Sequence, residues 1–124
     1  MNIALWIAAA LLALAFLATG LLKITRSKEK LAAAGMGWTE DFSPAAIKAI
    51  GVAEVLGAIG LILPAVLGIA PWLVPVAAVG LALVMIGAAT THLRRKETQM
   101  VVVNLVLLAL AVFVAWGRFG AYAF

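Results

Sequence analysis

Gly51-Val-Ala-Glu54-Val-Leu-Gly57-Ala-Ile-Gly60-Leu-Ile-Leu-Pro64 decides how the rest of the chain is read. The stretch is apolar enough for the interior of a bilayer, yet a carboxylate stands near its middle. An ionisable group inside a membrane helix is costly, and it faces a bundle interior or a wet cavity. Glu54 therefore needs a partner, a proton or water, and other segments must supply its surroundings. Gly51, Gly57 and Gly60 narrow the helix beside it and invite close packing.

The composition points the same way. Of 124 residues, 67% are hydrophobic and 11% charged, with a mean hydropathy of +1.22. A soluble domain of this length keeps too much of its chain at the surface to hide that much apolar area, so the solvent is lipid. One domain over residues 1–124 is expected. The net charge of +4 would suit nucleic acid, but the basic residues flank apolar runs, which is the pattern of membrane orientation. Nucleic acid is not an expected partner. The absence of cysteine removes thiol redox chemistry, disulfides and thiolate metal sites. A single histidine cannot build a multi-histidine metal site. No catalytic residue, metal or cofactor of its own is expected.

Outward from Glu54, four apolar runs of spanning length appear, at about 3–24, 44–63, 72–93 and 100–117. The first lacks a basic leader, and its basic residues follow it, so it reads as a retained helix and not a signal peptide. Between runs one and two, Arg26 to Phe42 predicts a short interfacial helix closed by glycines, with Trp38 and Phe42 as anchors near the headgroups. Ser43-Pro44 reads as an N-cap followed by proline at the first helical position. Pro64 either ends the second helix or kinks it. Gly20 lies beside Thr19 and Lys23, and Gly80 and Gly87 share a face of the third helix; these, with Gly51, Gly57 and Gly60, are the expected packing positions. The fold class is an all-α integral membrane protein: an antiparallel four-helix bundle with a short interfacial helix between helices one and two.

Lys23, Arg26, Lys28, Lys30, Lys48, Arg94, Arg95 and Lys96 fall on one side of this arrangement and Arg118 alone on the other. That bias predicts a cytoplasmic basic side, with both termini outside. Thr19, Lys23, Glu54, Thr91, His92 and Asn104 then share the cytoplasmic half of the bundle and come from all four helices. They predict a small polar pocket or ligand-binding site. Its centre is a Lys23–Glu54 ion pair, or Glu54 hydrogen-bonded to Asn104 or His92. Each residue also has a plainer reading: Lys23 as a snorkelling lysine, His92 as an interfacial residue, Asn104 as interhelical glue, and the threonines as groups bonded to their own helix.

Three runs carry a family resemblance: Phe16-Leu-Ala-Thr-Gly20-Leu-Leu-Lys23, the Glu54 to Pro64 stretch, and Gly87-Ala-Ala-Thr-Thr-His92. In this order, along a four-helix chain, they resemble the DoxX-like family. The resemblance implies a small four-helix membrane protein, mostly bacterial, and hence the bacterial cytoplasmic membrane. It also implies association with a quinol-oxidase system or with membrane oxidoreductase complexes in some relatives, and a chaperone-like role in others. No family catalytic residue transfers to this chain; Lys23, Glu54 and His92 are the matching polar positions. Two function classes are carried forward. One is an accessory or ligand-binding subunit that holds a quinone- or lipid-like molecule, or docks with a membrane redox-complex partner. The other is an assembly factor acting through helix packing. A transporter or proton pathway, which one short chain would have to build as a homo-oligomer, is the weaker third.

Overall fold

A computed structural model describes residues Met1–Phe124. Four long helices, α1 (Asn2–Thr25), α3 (Pro44–Leu67), α4 (Leu73–Arg94) and α5 (Thr98–Phe119), are joined by short connections. The longest connection carries a short helix, α2 (Lys28–Ala33), and one 3₁₀ turn (Gly37–Asp41). All four long helices are long and apolar enough to cross a membrane. The shortest, of 22 residues, extends about 33 Å against roughly 30 Å of hydrocarbon. Their outward faces carry exposed Leu14, Leu56, Leu83 and Val106, a surface suited to acyl chains.

Local chemistry sets the ends. Ser27 accepts from the Lys30 N–H at 3.2 Å and Ser43 from the Ala46 N–H at 3.1 Å, satisfying donors left free at the starts of α2 and α3. Pro44 opens α3 where a missing N–H is harmless. Gly35 stops α2 in the left-handed conformation (φ 100°). The Met36 N–H then reaches back to the Leu31 carbonyl at 3.0 Å, a Schellman closure. Pro64 neither ends α3 nor breaks it, since the helix runs on to Leu67. The proline ring forfeits one backbone bond, to the Gly60 carbonyl.

The helices form a ring in which α1 lies between α3 and α5, and α4 closes the other side between the same two. Neighbours run in opposite senses: Gly20 meets Gly51 while Lys48, earlier in α3, reaches Ile24, later in α1. The packed core draws on residues 8–16 of α1, 58–61 of α3, 74–85 of α4 and 111–114 of α5. Most of these lie toward the end away from the basic residues, with Phe16 and Met85 at the boundary. The basic half has a different filling.

Candidate functional site

The site begins where α1 and α3 cross on glycine. A Cβ placed on Gly20 would lie 2.8 Å from the Gly51 carbonyl oxygen, and one on Gly51 would lie 2.8 Å from the Gly20 carbonyl oxygen. The backbones touch because neither residue has a side chain. Lys23 follows Gly20 by three residues and Glu54 follows Gly51 by three, so each side chain sits on the contact face. Cβ bonds tilt toward the helix N-terminus. Because the two helices are antiparallel, Lys23 and Glu54 therefore lean toward each other. Lys23 Nζ donates to Glu54 Oε1 at 2.5 Å, with the two side chains 8% and 3% exposed. The Thr19 hydroxyl adds a donor to Glu54 Oε2 at 3.3 Å, while also lying 3.1 Å from its own helix's Ala15 carbonyl. Glu54 is bonded to neither Asn104 nor His92.

Above this pair lies a cavity of about 430 Å³. Thr19, Lys23, Glu54, Thr91, His92 and Asn104 all line it, with Phe16 and Met85 from the edge of the core. Thus the six polar residues named from sequence border one space. Their states differ. Thr91 donates to the Gly87 carbonyl at 3.0 Å, the self-bonded arrangement. His92 is buried, with Nδ1 2.8 Å from Glu97 Oε1. The turn after α4 makes that contact: Lys96 adopts φ 59° and the Glu97 N–H bonds the His92 carbonyl at 2.9 Å, which swings the Glu97 side chain onto the ring. With the carboxylate accepting from Nδ1–H, Nε2 of a neutral ring is left as an acceptor. Asn104 is 5% exposed, and its Nδ2 has no hydrogen-bond partner.

The linking segment roofs the cavity. Gly35, Met36, Trp38 and Phe42 line it. The Trp38 ring stands edge-on to His92 at 6.3 Å and to Phe42 at 5.5 Å, and the Lys23 ammonium lies 5.6 Å from the indole centroid. Arg95 pins this strap to α4, donating from Nη1 to Asp41 Oδ2 at 2.9 Å and from Nε to Glu97 Oε1 at 3.3 Å. The Asp41 hydrogen bond holds the Arg95 guanidinium above its ordinary pKa, so its charge persists at any working pH.

The glycines divide into two sets. Gly20 and Gly51 are backbone contacts. Gly57 accommodates Leu81, whose Cδ2 would lie 2.6 Å from an added Cβ, and Gly60 accommodates Ala77 at 2.9 Å. Gly80 and Gly87 do not pack: an added Cβ would meet nothing within 4 Å. Helical spacing placed them on one face, but that face is open, and Gly87 borders the cavity. Sequence reading missed two features. The roofing aromatics were placed as headgroup anchors, and only their pairing across a polar loop hinted otherwise. Arg118 was read as an isolated outer charge. It is 5% exposed, donates to Asn2 Oδ1 at 2.6 Å and to the Tyr122 carbonyl at 2.9 Å, and stacks 4.0 Å from the Phe124 ring centroid.

Four lipid-facing helices around a charge-paired polar cavity define a small multi-pass integral membrane protein with an internal site at one end. Residues 7–114 match the DoxX-like family, and the chain belongs to that family. No curated protein and no solved structure matches it.

Proposed function

We propose that the cavity binds a neutral, mostly apolar molecule bearing a hydrogen-bond-accepting oxygen, of the quinone- or lipid-like kind, and that the protein acts as a non-catalytic binding subunit in its membrane. The orphaned Asn104 amide carries this reading. A buried donor without a partner is destabilising by about 1–3 kcal/mol, and this one borders a space of ligand size. The charges in the wall support a neutral occupant. Lys23 is matched by Glu54 and the His92 Nδ1 is engaged by Glu97, so the donor left without a partner is the uncharged Asn104 amide. Phe16, Val84, Leu107 and Trp38 offer an apolar body and an aromatic face. A membrane oxidoreductase carrying its own redox group is the natural user of such a ligand, and the family setting fits a bacterial cytoplasmic membrane with the basic side inward.

Mass spectrometry of hydrophobic molecules retained through purification tests this. Wild type should carry a neutral carbonyl-bearing lipid or quinone, and folded Asn104→Leu should lose it. A wild-type protein that emerges empty from its native membrane defeats the reading.

A second reading, assembly through helix contacts, rests on Gly80. Its side of α4 is open, as a docking position for another membrane protein or a second copy would be. It predicts that Gly80→Leu loses a co-purifying partner while keeping any bound molecule.

A further inference from the structure

A second concavity lies on the outside of the α1–α3 crossing, where the C-terminus of α1 meets the start of α3. It measures about 360 Å³, and its wall includes Arg26, Lys28, Glu29 and Lys48, with Lys23 at its inner edge. Lys23 is neutralised by Glu54. Arg26 and Lys28 flank the turn between α1 and α2, Lys48 comes from α3, and none of the three has a carboxylate within 4.0 Å. Glu29, the one acid in the wall, is unpaired as well. The notch thus holds three uncompensated cations against one anion. On the opposite flank of the same end, Arg95 is bridged to both Asp41 and Glu97. Basic residues that serve orientation alone need neither a shared concavity nor separation from their acids.

Lys48 shows how the notch is built. Its ammonium donates to the Ile24 carbonyl at 2.8 Å, covering the negative end of α1. Two of its N–H groups stay free for another acceptor. Arg26 caps α1 at the same level, donating its backbone N–H to the Leu22 carbonyl at 3.0 Å, which leaves the guanidinium free. The notch sits where the apolar run of α1 ends and that of α3 begins, the level at which a span of about 30 Å gives way to headgroups.

We propose that this notch holds the phosphate of an anionic membrane lipid from the leaflet on the basic side. Guanidinium and ammonium donors match phosphate oxygens, and a juxtamembrane basic cluster gains affinity with each added charge. The site is separate from the internal cavity and takes the opposite class of ligand, charged where the cavity takes neutral.

The test is native mass spectrometry of the full chain in a neutral detergent, titrated separately with phosphatidylglycerol, phosphatidylcholine and inorganic phosphate. Phosphatidylglycerol should be retained in preference to phosphatidylcholine. Replacing Arg26, Lys28 and Lys48 together by glutamine should weaken that retention about tenfold or more. Neutralising Arg94 and Lys96, which line neither the internal cavity nor the notch, should leave it within about twofold. In unmodified protein, raising the salt concentration should release phosphatidylglycerol and spare phosphatidylcholine, so the result does not depend on the triple variant folding. Equal retention of the two lipids overturns the proposal, as does retention unchanged by both the triple variant and salt. Inorganic phosphate binding as tightly as the lipid overturns it in favour of a soluble anion.

Discussion

At the scale of single residues, the cavity wall contains one pair that must stay together and one donor that stands alone. Glu54→Gln leaves the Lys23 ammonium buried without a counter-charge, and such a loss is worth about 3–5 kcal/mol. Replacing both, as Lys23→Met with Glu54→Gln, removes the charge along with its partner and should recover most of that stability. Unfolding in a denaturing-detergent titration of the two single variants and the double checks this; additive losses would show that the pair is not coupled. Asn104 predicts the opposite sign. If its amide were glue between helices, Asn104→Leu would destabilise. An orphaned donor predicts instead that the ligand-free variant gains about 1 kcal/mol while losing retained molecule, and the same titration plus mass spectrometry reads both. That the six polar residues share one depth was legible in the sequence, because charge and amide groups stand out in apolar helices. Which of them bond was not. Glu54 chooses Lys23 over Asn104 through the tilt of two antiparallel helices, and His92 finds Glu97 through a left-handed turn at Lys96.

At the scale of elements, the α1–α3 crossing positions everything else. Gly20→Leu or Gly51→Leu drives a side chain into facing backbone. Overpacking of this kind is destabilising by about 1–3 kcal/mol or more, and here it also separates Lys23 from Glu54. Gly80→Leu, facing open space, should leave the melting temperature of the isolated protein nearly unchanged. Thermal unfolding of the three variants, compared in one detergent, tests the division; equal losses at Gly80 and Gly51 would contradict it. The roof offers a similar contrast. The Arg95–Asp41 pair is partly exposed, so Asp41→Asn should shift stability by less than about 1 kcal/mol. Trp38→Ala removes the cover over His92 and Lys23, and should speed dissociation of the retained molecule with a small effect on unfolding. Helix positions were legible within a few residues, because length and hydropathy determine a span. Packing faces were not. Spacing put Gly80 and Gly87 on one stripe, but spacing alone does not say whether a stripe faces a neighbour, as at Gly57, or a void. Loop aromatics were hidden for a related reason: Trp38 turns inward because the strap is clasped to α4, a long-range contact no local pattern encodes.

At the scale of the molecule, the two halves of the bundle differ in kind. The end bearing both termini is packed solid around Leu12, Leu61, Leu81 and Val114, and its polar closure is one buried arginine held by Asn2 and the C-terminal residues. The other end is hollow, polar inside and basic outside. The placement of basic residues sets orientation in short-looped membrane proteins, so the hollow end should face the cytoplasm. A charged group entering the cavity would then come from the cytoplasmic side, past the strap, while an apolar ligand could enter between helices from the leaflet. The chain has no cysteine, so single cysteines placed at Lys96 and at Ala123 report without background. In intact cells, a membrane-impermeant maleimide should label the cysteine at 123 and reach the one at 96 only after the membrane is opened. The reverse pattern would invert the protein, place the cavity mouth outside, and move the anionic-lipid notch to the outer leaflet. Labelling at both positions in intact cells would mean a mixed topology, which eight basic residues against one should forbid. Neutralising Arg94, Arg95 and Lys96 together should push part of the population into that mixed state, with labelling at 96 rising in intact cells as the charge bias falls.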